Sequence, residues 1–197
     1  MHSITKYIGG HSDVVAGALI FNDSNLYDKL FFNIKTIGTF IAPFDAWIAL
    51  KGSKTLGIRA ERASSNALAI AKHLEKHPMI KKVIYPGLPS HPHHKIALKN
   101  RANAKCNGGS GMLSIYIKGD IKKTNKFLSS LHVFTLAESL GGVESLIESP
   151  ALMTHGSVPP EHRKMLGIDD NFVRLSVGIE DVDDLIADLD QALAKLK

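Results

Sequence analysis

The chain has one cysteine, Cys106, in 197 residues. No internal disulfide can form, and a fold that does without one suits a reducing, cytoplasmic setting. Long apolar runs are also missing. A membrane-spanning helix needs about 18 apolar residues or more, and the best stretch, "DVVAGALIF", is far too short. The N-terminus lacks the basic start and apolar core of a secretion signal. There is no internal repeat and no low-complexity tract. Charge of one sign is not concentrated: 24 basic and 19 acidic residues leave a net +5, but "KHLEKHPMIKK" and "IKGDIKKTNK" mix their lysines with acids or apolar residues. With no basic stripe and no recognisable module, neither nucleic acid nor a membrane is expected as a partner.

What remains is an ordinary globular composition, 44% hydrophobic and 22% charged, in a chain long enough for a domain or a domain and a half. "SDVVAGALIF" reads as a buried strand, a short valine-rich apolar run. "SNLYDKLFFNIKTIG" reads as a helix with Ser24 as N-cap and Gly38 as its stop. From Phe44 the residues favour helix, with Leu56, Ala60, Ala63, Ala67, Ile70, Ala71 and Leu74 recurring on one side until Pro78. "KKVIYP" and "GMLSIYIKG" read as strands and "DIKKTNKFLSSL" as a helix. "VRLSVG" puts Val173, Leu175 and Val177 on one face and Arg174 and Ser176 on the other. The final segment is an amphipathic helix with acids in its first turn and lysines, including Lys197, in its last. The part after the long helix has the elements of a layered α+β domain. The part before it offers one strand and one helix, too little to close a sheet.

The opening stretch carries the chemistry. If residues 3 to 6 are extended, Ser3 and Thr5 point to one side and Lys6 to the other. Two hydroxyls can donate to a phosphate, and a lysine amine can condense with an aldehyde. Pyridoxal 5′-phosphate presents both groups, and Gly9 and Gly10 would let backbone pass close to it. A solvated surface lysine is the competing explanation of the same residues. Arg174, set in an apolar strand, needs an anionic partner; that partner is a substrate or a nearby acid such as Glu180 or Asp181. His91, His93 and His94 are too tightly spaced around Pro92 to surround one ion, so no metal site is expected. Cys106 shows no activating base, and "CNGGSGM" lacks the ending of a nucleotide loop and reads as a turn into a strand.

"SITKYIGGHSDVVAG" resembles the cofactor-lysine segment of the Cys/Met-metabolism family of pyridoxal-phosphate enzymes. "APFDAWIALKGSKTLGIR", "VIYPGLPSHPHH", "GSGMLSIYIKG", "FTLAESLGGVESLIESPALMTH" and "VRLSVGIED" follow in the family's order and cover essentially the whole chain. The wording of "AESLGG" and "YIKG" is most similar to the family's γ-eliminating lyases of eukaryotes. Many relatives carry a histidine where this chain has Ala63. The resemblance implies an α/β fold of the fold-type I pyridoxal-phosphate class. Residues 1–60 would be a remnant of the large cofactor domain and residues 61–197 a complete α+β C-terminal domain entered by a long helix. It implies pyridoxal 5′-phosphate as cofactor and a small sulfur amino acid as substrate, in a homo-oligomer, tetrameric in relatives.

By the same resemblance Lys6 would hold the cofactor and move protons, with Ser3 and Thr5 on its phosphate. Arg174 would grip the substrate's α-carboxylate, Ser139 would sit beside Lys6 and that carboxylate, and Glu138 would line the distal end. The expected activity is a carbon–sulfur lyase. The alternatives are β-elimination, synthase chemistry, γ-elimination from methionine, or a non-catalytic module that associates with full-length subunits. Family members carry a long region before the lysine segment, supplying most of the parallel sheet and an aspartate for the pyridine nitrogen. The chain is therefore expected to be a truncated form, with weak cofactor binding on its own.

Overall fold

A computed structural model of the chain describes residues 1–101 and 105–196; Lys197, placed at the end of the last helix by the sequence pattern, lies outside them. The chain divides into two compact units, Met1–Gly57 and Ile58–Lys197.

The first unit begins with β1, His2–Ser3, paired antiparallel with β2, Gly17–Ala18. Between them Ile4–Ile8 coils into a π-helical turn. The buried strand expected over "SDVVAGALIF" is not there. Only Gly17 and Ala18 pair, and Val14 is 5% exposed while Val15 is 86% exposed. A two-residue ribbon has no further neighbour to extend the ladder, so the apolar run stays irregular. α1, Ser24–Ile37, follows. Its N-cap is Asp23 rather than Ser24, the carboxylate accepting from Asn25 N at 2.8 Å and Leu26 N at 3.3 Å. A carboxylate at that position satisfies two amides that the helix itself leaves open. Gly38 ends the helix in the left-handed region, φ 82°, as glycine most readily does. α2, Pro43–Ser53, opens with proline at its first position, where the missing N–H is no loss.

α3, Leu56–Leu74, turns Ala63, Ala67, Ile70, Ala71 and Leu74 inward at helical spacing. Five strands then form one sheet in the order β3-β4-β7-β6-β5: β3 Ile80–Ile84, β4 Met112–Ile117, β5 Thr135–Leu136, β6 Leu146–Glu148 and β7 Phe172–Ser176. All neighbours are antiparallel except β5 and β6, which are parallel. The helices between them are α4 His94–Lys99, α5 Ile121–Leu128, α6 Pro160–Met165 and, after β7, α7 Val182–Ala194. The alternation read in the sequence gives one sheet face to Leu113, Ile115, Ile117, Ile147, Val173 and Leu175. These pack with α3, α5 and α7 into a single core. α7 has acids in its first turn and no base in its last, Lys195 lying at the cap.

Two polar groups bind the helices to this layer. Asp188 of α7 is buried and accepts from His132 N, Val133 N and Phe134 N at 2.8 to 3.0 Å. Burial works to raise its pKa, but those three amides and Gln191 outweigh it and hold the carboxyl below its usual range. Asn66 of α3 donates to Gly178 O and Glu180 O at 3.1 and 2.9 Å, tying α3 to the segment after β7.

Candidate active site

Ser3, Thr5 and Lys6 lie in the first unit; Glu138, Ser139 and Arg174 lie in the second. Ser3 is extended, φ −82° and ψ 115°, but residues 4 to 8 are coiled, so the two hydroxyls do not line one side of a strand as expected. Ile4, Thr5 and Ile8 are β-branched and mimic strand composition; the hydrogen bonds decide otherwise. Gly9 N donates to Ile4 O at 2.7 Å and Gly10 N to Lys6 O at 2.8 Å, closing the turn. Ile4 N and Thr5 N both donate to Ala16 O, at 2.9 and 3.3 Å. The Thr5 hydroxyl accepts from Ala16 N at 3.0 Å and donates to Ala16 O at 3.3 Å. Thr5 therefore anchors the turn to the segment entering β2.

Lys6 departs from helical geometry at φ −96°, ψ −121°, in the middle of this turn, with its side chain half-buried; Ser3 is exposed. The glycines serve packing. A Cβ on Gly52 would run into Gly9 O, so α2 and the lysine turn meet backbone to backbone. Lys6, the exposed Ser3 hydroxyl and a Thr5 proton held only by a long bond make a donor set that fits an aldehyde and an anion on one small molecule.

Arg174 lies on β7, between β4 and β6. The register places Ser114, Arg174 and Glu148 in one row across the three strands, on the face away from the core. Arg174 Nη1 is 3.0 Å from Glu148 Oε1, and Nη2 donates to Ser139 O at 2.9 Å. Ser139 thus meets Arg174 through its backbone carbonyl. Gly141 N donates to Ser176 Oγ at 2.8 Å, so the "ESLGG" loop is fastened to β7 twice. Glu138 is exposed, yet close enough for its charge to act on Glu148. Burial pushes the Glu148 carboxyl above the usual range, against the pull of Arg174.

The acids named from sequence as partners of Arg174 are engaged elsewhere. Glu180 accepts from Ser145 N and Ser145 Oγ, and Asp181 caps α7 through Asp183 N. Sequence reasoning missed Glu148. The available signal was a glutamate directly after the apolar pair Leu146-Ile147 in "SLIESP". It also missed Asp188 and Tyr85, whose hydroxyl donates to Ser110 O at 3.0 Å and Ser64 O at 3.2 Å from a fully buried ring.

Among the described residues no cluster of His, Cys, Asp or Glu is arranged to hold a metal. His94 Nδ1 lies 2.9 Å from Pro86 O, and the His91 and His93 rings contact each other at 5.8 Å. Cys106 is half-buried. No described helix is long and apolar enough to cross a membrane.

The chain is 54% identical over 195 residues to a cystathionine gamma-lyase of Dictyostelium discoideum, covering 99% of this chain and 49% of that protein. Among solved structures it matches a cystathionine gamma-lyase from yeast at TM-score 0.93 and 49% identity, over 99% of this chain and 49% of that one. It matches a cystathionine gamma synthase from Xanthomonas oryzae pv. oryzae, crystallised with aminoacrylate and cysteine, at TM-score 0.92 and 43% identity, again over 99% and 49%. The chain thus spans about half the length of the relatives it matches, and its fold is the α/β, fold-type I arrangement of these enzymes. The family model described as Cys/Met metabolism PLP-dependent enzyme matches residues 1–194, and the chain belongs to that family.

Proposed function

We propose that this chain is the lysine-bearing half of a pyridoxal-phosphate-dependent carbon–sulfur lyase acting on cystathionine and yielding cysteine, 2-oxobutanoate and ammonia. Residues 1–60 are then the end of a larger cofactor domain and residues 61–197 a C-terminal domain. The observation that carries the reading is the turn pinned through Thr5, which holds the half-buried Lys6 close in sequence to the exposed Ser3. Identity of 54% to a cystathionine gamma-lyase over nearly the whole chain supports the substrate class.

Pyridoxal phosphate, when bound, supplies an electron sink for charge developing on the substrate carbons. The residues supply the rest. Lys6 anchors the cofactor aldehyde and carries protons through its Nζ. Ser3 donates to the phosphate, and Thr5 adds a donor by releasing Ala16 O. Arg174 binds the α-carboxylate with the N–H groups that Glu148 and Ser139 leave over; a planar guanidinium suits that shape. Ser139 sets the position of that guanidinium, and Glu138 biases the choice at the distal end of the substrate.

Trapping tests the reading. Incubation of the chain with pyridoxal phosphate and borohydride should modify Lys6, and Lys6→Ala should abolish the adduct. Adding an N-terminal fragment of a relative should raise trapping and produce 2-oxobutanoate from cystathionine. Label elsewhere on the chain, with Lys6 untouched, would overturn the assignment. A synthase remains the competing chemistry, and the product assay separates the two.

A second reading has its own support. Residues 1–57 leave Phe32, Ile37, Phe44 and Trp47 more than half exposed, which suits a non-catalytic module that associates with full-length subunits in a homo-oligomer. Stable co-purification with a longer homologue, without lyase activity in the mixed oligomer, would favour it.

A further inference from the structure

The Glu148–Arg174 pair asks for an explanation beyond stability. Glu148 is 1% exposed at the side chain and Arg174 is 24% exposed. Withdrawing a carboxylate from water is costly, and a buried pair repays that cost only when its remaining donors and acceptors are satisfied. Here they are not. Glu148 Oε2 and Arg174 Nε are both shielded from solvent without a hydrogen-bond partner among the described residues. A pair that served only to hold β6 to β7 would gain from apolar replacements, as its neighbours Ile147 and Leu175 show on the core face.

The arrangement does fix a guanidinium. Glu148 Oε1 holds Nη1 at 3.0 Å and Ser139 O holds Nη2 at 2.9 Å, from two different segments. Glu148 is itself held: Thr154 Oγ1 donates to its Oε1 at 3.3 Å, and the ladder sets its strand directly opposite Arg174. Each Nη carries two protons, so one N–H on each remains, on a side chain that is 24% exposed although its Nε is covered.

We propose that Glu148 is a positioning residue: it locks the Arg174 guanidinium so that the two remaining Nη protons face a substrate carboxylate. This rests on the reading of Arg174 as the carboxylate anchor. Thr154 supports the lock at one remove, and Ser139 provides its second jaw.

The test labels the full chain with 15N-arginine and follows the Arg174 Nε–H, assigned by its loss in Arg174→Lys. In the wild type this proton should exchange slowly. In Glu148→Gln it should exchange about ten-fold faster or more while the amides of β4 and β7 keep their protection. Thr154→Val should move it the same way by less, and serves if Glu148→Gln fails to fold. Exchange within about two-fold of wild type in either folded variant, or β4 and β7 amides that lose protection in parallel, would overturn the proposal. A second arm adds L-serine, with L-serine methyl ester as the carboxylate-free control. The free acid alone should shift the Arg174 signal, and less so in Glu148→Gln. If L-serine shifts nothing in the wild type while the exchange difference holds, the role of Arg174 as carboxylate anchor fails and the lock stands.

Discussion

Phe44 of the first unit is 68% exposed; Leu175 of the second is wholly buried. The contrast extends across the two regions. In residues 1–57 several aromatic side chains touch one another, Phe21 with Tyr27, Tyr27 with Phe31 and Phe31 with Phe40, yet Tyr27, Phe31 and Phe40 remain exposed. Order there comes largely from near neighbours in sequence, a capped helix, a two-residue ribbon and a turn closed on its own backbone, with α2 against that turn at Gly52 and Gly9. The described residues of 58–196 instead bury apolar groups contributed by four strands and three helices far apart in the chain. Local order without a core is intrinsically marginal, so the two regions should respond very differently to the same kind of change.

Core truncation gives the largest expected effect. Leu175→Ala should destabilise the second unit by roughly 3 kcal/mol or more in urea unfolding. Phe32→Ala, at an exposed site, should change the same curve by less than about 0.5 kcal/mol. Equal effects would erase the distinction. Next comes Asp188→Asn, which leaves buried amides without an anion and should cost about 2 to 3 kcal/mol near neutral pH. Because the folded pKa of Asp188 is depressed, its contribution is fully present above about pH 3.9 and fades as pH falls through the lower folded value. The gap between wild type and variant should therefore narrow in acid, as thermal melts between neutral pH and pH 2 would show.

Gly52→Ala tests the first unit at a close backbone approach. The new methyl meets Gly9 O, so α2 and the lysine turn must separate, at a cost of about 1 to 3 kcal/mol. Hydrogen exchange at Gly9 and Gly10 should speed up while the β4 amides stay unchanged. The smallest effect on stability is expected from the double change Phe44→Ser, Trp47→Ser. It should shift the melting curve little and reduce binding of a hydrophobic dye markedly. Undiminished dye binding would mean that the exposed surface lies elsewhere.

The sequence showed elements wherever a period or a cap was strong. α3 and α7 follow the 3.6-residue stripe, and β4 and β7 follow alternation, so both appear where expected. β5 and β6 are two and three residues long, below the length at which alternation can be told from chance. The opening turn departs from its strand-like composition because the Gly9 and Gly10 amides close it and the Ala16 carbonyl accepts from Ile4 N and Thr5 N. Arg174 stood out as a charge in an apolar strand. Its partner did not, because pairing depends on which strand lies alongside. The sheet places β6 next to β7 and leaves the sequence-adjacent acids to cap α7 and to fasten Ser145.

The strand order has a consequence for biosynthesis. β7 comes after the other four strands of this sheet in sequence, yet it sits between β4 and β6. Until it leaves the ribosome, the earlier strands form two separate fragments, β3 with β4 and β5 with β6, each with one bare edge waiting for the same partner. The nascent chain must keep those edges apart until β7 arrives, and a premature stop ahead of Phe172 would divide the sheet in two instead of trimming its border.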